Sequence, residues 1–242
     1  MIRAISPNVA GYPAALAALR RPPPELWIRG SDPPPECIAV VGTRRPDPAG
    51  RALARAIDAG VARRGYGVVS GLAPGVDCAA HRGALDAGGG TWAVVGSGVD
   101  LAVGPGDPDL VGDMLAAGGG IVAEVPAGTP PSSRTLVARD RIQSGLSRAT
   151  VVVQTDLASG TMHTARFTID QGRLLAVLTP PPSPRPGGWS GNAALTAATG
   201  CDPAVLRATG RVAALVARRR PAADVVLPAD GDLGALWAAL GV

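Results

Sequence analysis

The sequence predicts an α/β fold, doubly wound around a mostly parallel sheet. Six short apolar runs carry that expectation: "CIAVVG" (37–42), "YGVVSG" (66–71), "TWAVVG" (91–96), "GIVAEV" (120–125), "ATVVVQ" (149–154) and "RLLAVL" (173–178). Each is continuous rather than alternating in polarity, as in a strand covered on both faces, and helical patterns separate them. Proline clusters at 21–36 and 179–188 bracket an interior of about 37–180, because such runs suit neither central strands nor helices. At 242 residues there is room for one large domain with small appendages.

The connecting elements follow in order. Leu53, Ile57 and Val61 recur every four residues on a segment carrying Arg51, Arg55, Arg63 and Arg64, so one apolar stripe faces the sheet and the arginines face solvent. Helices are predicted over about 76–87 and, after the third strand and a loop, 107–117. Residues 134–147 and 160–172 read as the helices after the fourth and fifth strands. The tail reads as helices near 192–199 and 203–218, a short strand in "ADVVLP" and a final helix "DLGALWAAL", together a small subdomain or packing arm.

Hydrophobic residues make up 46% of the chain but aromatics only 3%, so the core must be built from Ala, Val, Leu and Ile, with few rings to stack on bases. The formal charge is +4, and there is no lysine: every basic side chain other than histidine is arginine. The guanidinium fork suits phosphate and carboxylate, although an arginine bias is also what a GC-rich genome produces. Cys37, Cys78 and Cys201 are far apart and form no CxxC pair, which argues against a zinc site or a disulfide framework and fits a reducing cytoplasm. No apolar run of signal-peptide type is present, and none approaches the ~18 residues of a membrane span, so a soluble protein with no membrane partner is expected.

In an open parallel sheet, ligands bind at the carboxyl ends of the strands. Here those ends are glycine-rich: "VGTRRP", "VSGLAPG", "VGSGVD" and "TDLASGTMHT". Glycines such as Gly42, Gly71 and Gly160 let the backbone approach a ligand, and N–H groups at a helix start favour an anion. Neither GxGxxG nor GxxxxGK[ST] is present, which weakens nicotinamide-cofactor and nucleoside-triphosphatase readings alike.

Arg44 and Arg45, just past the first strand, are placed to reach this edge. Arg134, Arg141 and Arg148 are spaced by seven, so a continuous helix would align them in a stripe able to track phosphates while Arg139 points elsewhere; solvated arginines are the plainer alternative. Asp77 and His81 share a helix face and could do acid–base work, or simply support the helix start. Neither histidine has a partner set for a metal. Ser159 and Thr161 are suited to capping a helix while offering hydroxyls to a phosphate oxygen.

Taken in order, "VVGTRR", "VVSGLAPGVDCAAHRGALDAGGGTWAVVGSGVD", "AEVPAGTPP", "ARDRIQSGLS", "ASGTMHTA" and "GGWSGNAALTAATG" resemble the DNA-processing protein A (DprA/Smf) family, over roughly residues 11–200. The resemblance implies a Rossmann-like core over 37–200, a lead-in segment over 1–36 and a small extension over 201–242. It further implies binding of single-stranded DNA, loading of a RecA-type recombinase during natural transformation, possible homodimer formation, no cofactor and no catalysis. Arg44, Ser70, Gly71, Arg139, Arg141, Ser159, Gly160 and Thr161 would line the DNA-phosphate pocket, with Arg45 beside them and Asp77 and His81 in support.

The chain departs from the family pattern in four places. Pro74 replaces a basic residue, Asp140 the asparagine of an R-N-R segment and Gln154 a glutamate, and "LAVGPGDPDL" lacks a Tyr-Pro tyrosine. The alternative reading is a nucleotide sensor or a nucleoside-monophosphate phosphoribohydrolase-like enzyme on the same fold, although the loop at 155–161 has no glutamate for the latter.

Overall fold

A computed structural model describes residues 1–182 and 188–242; residues 183–187, inside the second proline cluster, lie outside the described residues. All six predicted runs form parallel strands: β3 (Cys37–Val41), β4 (Gly67–Ser70), β5 (Thr91–Val95), β6 (Gly120–Ala123), β7 (Ala149–Val152) and β8 (Leu174–Leu178), where β1 and β2 are the lead-in strands described below. Their order, β6-β5-β4-β3-β7-β8, runs outward from β3 in one direction up to β6 and then restarts on its other side with β7. The boundary between β3 and β7 is therefore the topological switch point, where two successive connections leave for opposite faces and open a crevice.

The helices match the predicted pattern closely. The first, after the short lead-in helix α1 (Ala14–Ala17), is α2 (Pro48–Arg63), which starts with Asp47 accepting from the Gly50 N–H at 2.7 Å and with proline at its first position. Ile57 and Val61 are buried, Leu53 packs against the same cluster, and all four arginines of the segment are exposed. Next come α3 (Val76–Asp86), α4 (Leu110–Ala116), α5 (Ser133–Leu146) and α6 (Thr161–Asp170). A capping box between Ser132 and Thr135 sets the start of α5. Helices α2 and α3 touch closely enough that a side chain at Gly83 would strike the Arg55 carbonyl.

The sheet is larger than the six runs. The strands β1 (Ile2–Ile5) and β2 (Leu26–Gly30) add an antiparallel pair to the free edge of β6, and β9 (Val225–Leu227) extends β8 in parallel, giving nine strands. The first proline cluster thus contains a strand that lies inside the sheet, contrary to the expectation that it could not. The prolines at 22–24 and 33–35 flank a proline-free "LWIRG" whose Leu26 and Ile28 are fully buried, so every ladder position keeps its N–H.

The tail differs in one further respect. After α7 (Ser190–Thr196), the predicted helix over 203–218 is two pieces, a single 3-10 turn (Pro203–Leu206) and α8 (Gly210–Ala217). Arg207 between them and Gly210 at the start of α8 take positive φ angles of 50° and 53°, which no continuing helix tolerates. The chain ends in α9 (Gly234–Leu240), whose Trp237 stacks on Tyr66.

Candidate nucleic-acid interface

At the switch point lies an open cavity of about 970 Å3. One wall is the turn after β3, from Gly42 to Asp47; the opposite wall is the β7–α6 loop ending in Ser159, Gly160 and Thr161; α5 supplies the floor through Arg139, Asp140 and Gln143. A smaller, mainly apolar recess of about 270 Å3 lies by the ends of β4 and β5, and Arg44 and Arg139 line both.

The turn after β3 is shaped by close approach. A Cβ at Gly42 would meet Val76 and the Gln154 carbonyl, so only glycine lets β3 turn here. Asp47 then gathers three donors: the Gly50 amide, the Trp189 indole at 3.0 Å and the Gln154 amide nitrogen at 3.4 Å. Gln154 also accepts from the Asp47 N–H at 3.1 Å. A glutamate in place of Gln154 would set two carboxylates against each other, so the amide is matched to its surroundings. Arg44 and Arg45 project from this turn, exposed, and form no ion pair among the described residues.

Arg139 is the buried cation of the floor. Its side chain is 10% exposed, with Nε 3.3 Å from Asp140 and Nη2 3.8 Å from Asp77. These are ion pairs without hydrogen-bond alignment, and Nε and Nη1 of Arg139 and Nε2 of Gln143 are buried donors with no hydrogen-bond partner among the described residues. Such donors carry a free-energy cost of about 1–3 kcal/mol each until an acceptor meets them. Burial pushes the Asp140 carboxyl up to about 7 against the opposing pull of Arg139, and burial raises Asp77 likewise, again opposed chiefly by Arg139.

The second turn stands behind Arg139. Gly71 abuts the Arg139 guanidinium and the Asp77 carboxylate so closely that a Cβ there would collide with both. Asp77 accepts from the Ala73 N–H at 3.3 Å, and His81 bridges Gly71 and β5. The His81 Nε2–H donates to the Gly71 carbonyl at 2.6 Å, and Nδ1 lies 2.7 Å from the Thr91 hydroxyl, whose oxygen is also 3.1 Å from the Val68 carbonyl. Burial lowers this imidazole to about 4, so it is neutral at pH 7. Ser70 is fully buried and donates to the Val40 carbonyl at 2.6 Å, bracing β4 against β3 beneath the cavity.

The predicted site residues thus separate. Gly42, Arg44, Arg45, Arg139, Ser159, Gly160 and Thr161 line the cavity with Asp77, whereas Ser70, Gly71 and His81 support it from behind. Arg141 lies elsewhere: it pairs with Glu124 and reaches the Arg21 carbonyl, joining α5 to the end of β6 and the lead-in segment. The expected Arg134–Arg141–Arg148 stripe does not form, because α5 stops at Leu146 and Arg148 pairs with Glu36 at 2.8 Å, before β7 begins. Arg139, which the stripe directed away, holds the floor.

Of the lining residues that the sequence does not mark as site residues, Asp140, Gln143 and Arg207 matter most for charge and hydrogen bonding. Asp140 stands in the sequence as a departure from a motif, yet it contacts Arg139 directly. Gln143 follows Arg139 by one helical turn, a spacing that could have flagged it. Arg207 comes from the extension, and no local pattern marks it.

Known proteins share this architecture. The family model for DNA recombination-mediator protein A matches residues 3–204. Protein Smf of Synechocystis is 36% identical over 175 residues, covering 70% of this chain and 44% of the relative; Protein Smf of Escherichia coli is 36% identical over 178 residues, covering 73% and 47%. The chain spans about half the length of these curated relatives. Among solved structures, DNA processing protein A of Streptococcus pneumoniae superposes with a TM-score of 0.68 at 28% identity, covering 75% of this chain and 64% of that one. The Helicobacter pylori protein, whose structure concerns its unique single-stranded DNA binding mode, gives 0.68 at 28% identity, covering 81% and 87%. With the sheet, the ordered motifs and these likenesses in agreement, the chain belongs to the DNA recombination-mediator protein A family, a family of DNA-processing proteins.

Proposed function

We propose that this chain binds single-stranded DNA through its phosphates in the switch-point cavity, without catalysis. The observation that carries the reading is Arg139: a buried guanidinium with two nitrogens that have no hydrogen-bond partner among the described residues, on the floor of a cavity whose rim carries Arg44 and Arg45, which form no ion pair among the described residues. Thr161 opens α6 on the opposite wall, where the helix dipole favours an anion. Support also comes from the Helicobacter pylori relative, which is described as binding single-stranded DNA. His81 is buried and neutral between two structural partners, so the Asp77–His81 pair acts as a brace rather than an acid–base couple.

Phosphate-dominated binding has weak sequence preference and steep salt dependence. In fluorescence anisotropy with a labelled oligothymidylate, the full chain is expected to bind at low salt, and Arg44→Ala with Arg139→Ala to lose that binding. An unchanged curve for the double variant overturns the reading. Recombinase loading and dimer formation belong to the same proposal. Light scattering checks the dimer, and a strand-assembly assay with a RecA-type recombinase checks the loading.

A further inference from the structure

We propose that Arg207, supplied by the C-terminal extension, is a further phosphate ligand of this cavity, placing a cation on the α6 wall, across from Arg44 and above the floor held by Arg139. The inference rests on the DNA-binding reading above and identifies a contact beyond residue 204, where the family match ends.

The placement follows from packing on both sides of the residue. Leu206 and Ala208 are buried in one apolar cluster with Met162, Ala165 and Ile169 of α6. The main chain is therefore fixed to α6 immediately before and after Arg207, while Arg207 itself is exposed and lines the cavity. Its φ of 50° and ψ of 34° are left-handed, the one such non-glycine conformation among the described residues and one that L-residues resist. Two contacts hold it: Arg166 Nη1 donates to the Arg207 carbonyl at 3.1 Å, and Arg207 Nη2 donates to the Ala158 carbonyl at 3.3 Å. The second contact sets the guanidinium beside Ser159 and Gly160, at the start of α6.

Charge distinguishes Arg207 from Arg211 and Arg219. Arg211 pairs with Asp170, and Arg219 with Asp224 at 2.5 Å, whereas Arg207 forms no ion pair among the described residues. A left-handed backbone that carries an unneutralised cation over an anion-binding cavity fits a ligand contact, since strained residues held by their surroundings concentrate at such places. If Arg207 served only to fasten the extension, its charge would not alter the salt dependence of binding.

The test uses the full chain and a fluorescein-labelled oligothymidylate titrated at several salt concentrations. Arg207→Gly suits the left-handed backbone while deleting the guanidinium; Arg218→Ala removes an exposed arginine of the same extension that does not line the cavity. Arg207→Gly is expected to weaken binding severalfold and to reduce the slope of log affinity against log salt by roughly 0.7, the contribution of one single-strand phosphate contact. Arg207→Lys is expected to keep the slope. Wild-type binding with the same slope in Arg207→Gly and Arg218→Ala overturns the role of Arg207 and leaves the DNA-binding reading intact. No binding by the wild type overturns both. Should Arg207→Gly fail to fold, Arg207→Gln is judged by the same slope.

Discussion

Arg139 and Asp140 are neighbours in sequence and stay in contact in the fold, with Nε of the arginine 3.3 Å from the carboxylate and neither side chain more than 10% exposed. Where this pair carries an acid, the family pattern has an amide, and the acid titrates near neutrality because burial lifts it to about 7. Ionised, Asp140 neutralises Arg139 and repels a phosphate; protonated, it does neither. Oligonucleotide affinity is therefore expected to rise as pH falls from 8 to 6, by up to about tenfold, since one unit of differential protonation is worth ~1.4 kcal/mol. Asp140→Asn should bind more tightly than wild type at pH 8 and show a shallower profile, since Asp77 still titrates beside Arg139. A pH dependence in the variant equal to that of wild type would refute the coupling.

Gly71 offers a way to disturb Arg139 without touching it. The collision that a Cβ at this position makes is with the ends of the Arg139 and Asp77 side chains rather than with backbone, so the fold can yield by moving the guanidinium. Gly71→Ala should keep its melting temperature within a few degrees while oligonucleotide binding falls at least fivefold. Thermal denaturation and anisotropy on one preparation check this; intact binding shows that the position of Arg139 is immaterial.

His81 sets a limit on the acid side. Its imidazole is lowered from the ordinary value near 6.5 to about 4, so between those values the unfolded chain takes up a proton that the folded chain refuses. Stability from this group is complete above pH 6.5 and is lost as pH falls toward 4, a loss on the order of 3 kcal/mol. His81→Gln removes the titration. The wild-type minus variant difference in urea-unfolding free energy should shrink from pH 7 to pH 4.5. This comparison isolates the histidine from Asp58 and Asp140, whose raised carboxyls act in the opposite sense. A constant difference excludes a buried, neutral His81.

Asp58 illustrates the opposite sign. It lies on α2, fully buried, with neither carboxyl oxygen hydrogen-bonded among the described residues, and burial raises it well above the usual carboxylate range, with Asp77 adding to the rise. The folded chain keeps the proton while the unfolded chain releases it, so the penalty grows as pH rises above about 4. Asp58→Ala should stabilise the protein by about 1–3 kcal/mol at pH 8, the cost of an unsatisfied buried polar group, and by less at pH 5. Loss of stability at pH 8 would show that the carboxyl has a partner in solution.

The six-stranded core was legible because each strand is a continuous apolar run, and the glycine turns marked its ligand-facing end. Much of the cavity lining followed from that. Long-range packing was not legible. The "LWIRG" strand was hidden by prolines on either side of it, since composition does not say which residues occupy ladder positions. The arginine stripe needs a helix running past Leu146, and its spacing carries no sign of Glu124, which pairs with Arg141. Arg207 depended on how the tail folds onto α6, a contact between segments 41 residues apart, as in the Arg166–Arg207 pair. The buried Asp58 sat on a helix whose stripe was read correctly, yet no apolar periodicity distinguishes a buried acid from an exposed one.

The cations that line the cavity, Arg44, Arg45, Arg139 and Arg207, are all guanidinium groups, in a chain without a single lysine. Guanidinium stays charged throughout the range in which proteins remain folded. Acetylation of lysine side chains, a common means of erasing positive charge, therefore has no substrate here, and amine-directed crosslinkers find at most the chain's own N-terminal amine. Control over how tightly the cavity holds an anion can come instead from its carboxylates, from competing anions, from the surrounding salt or from phosphorylation of lining hydroxyls such as Ser159 and Thr161.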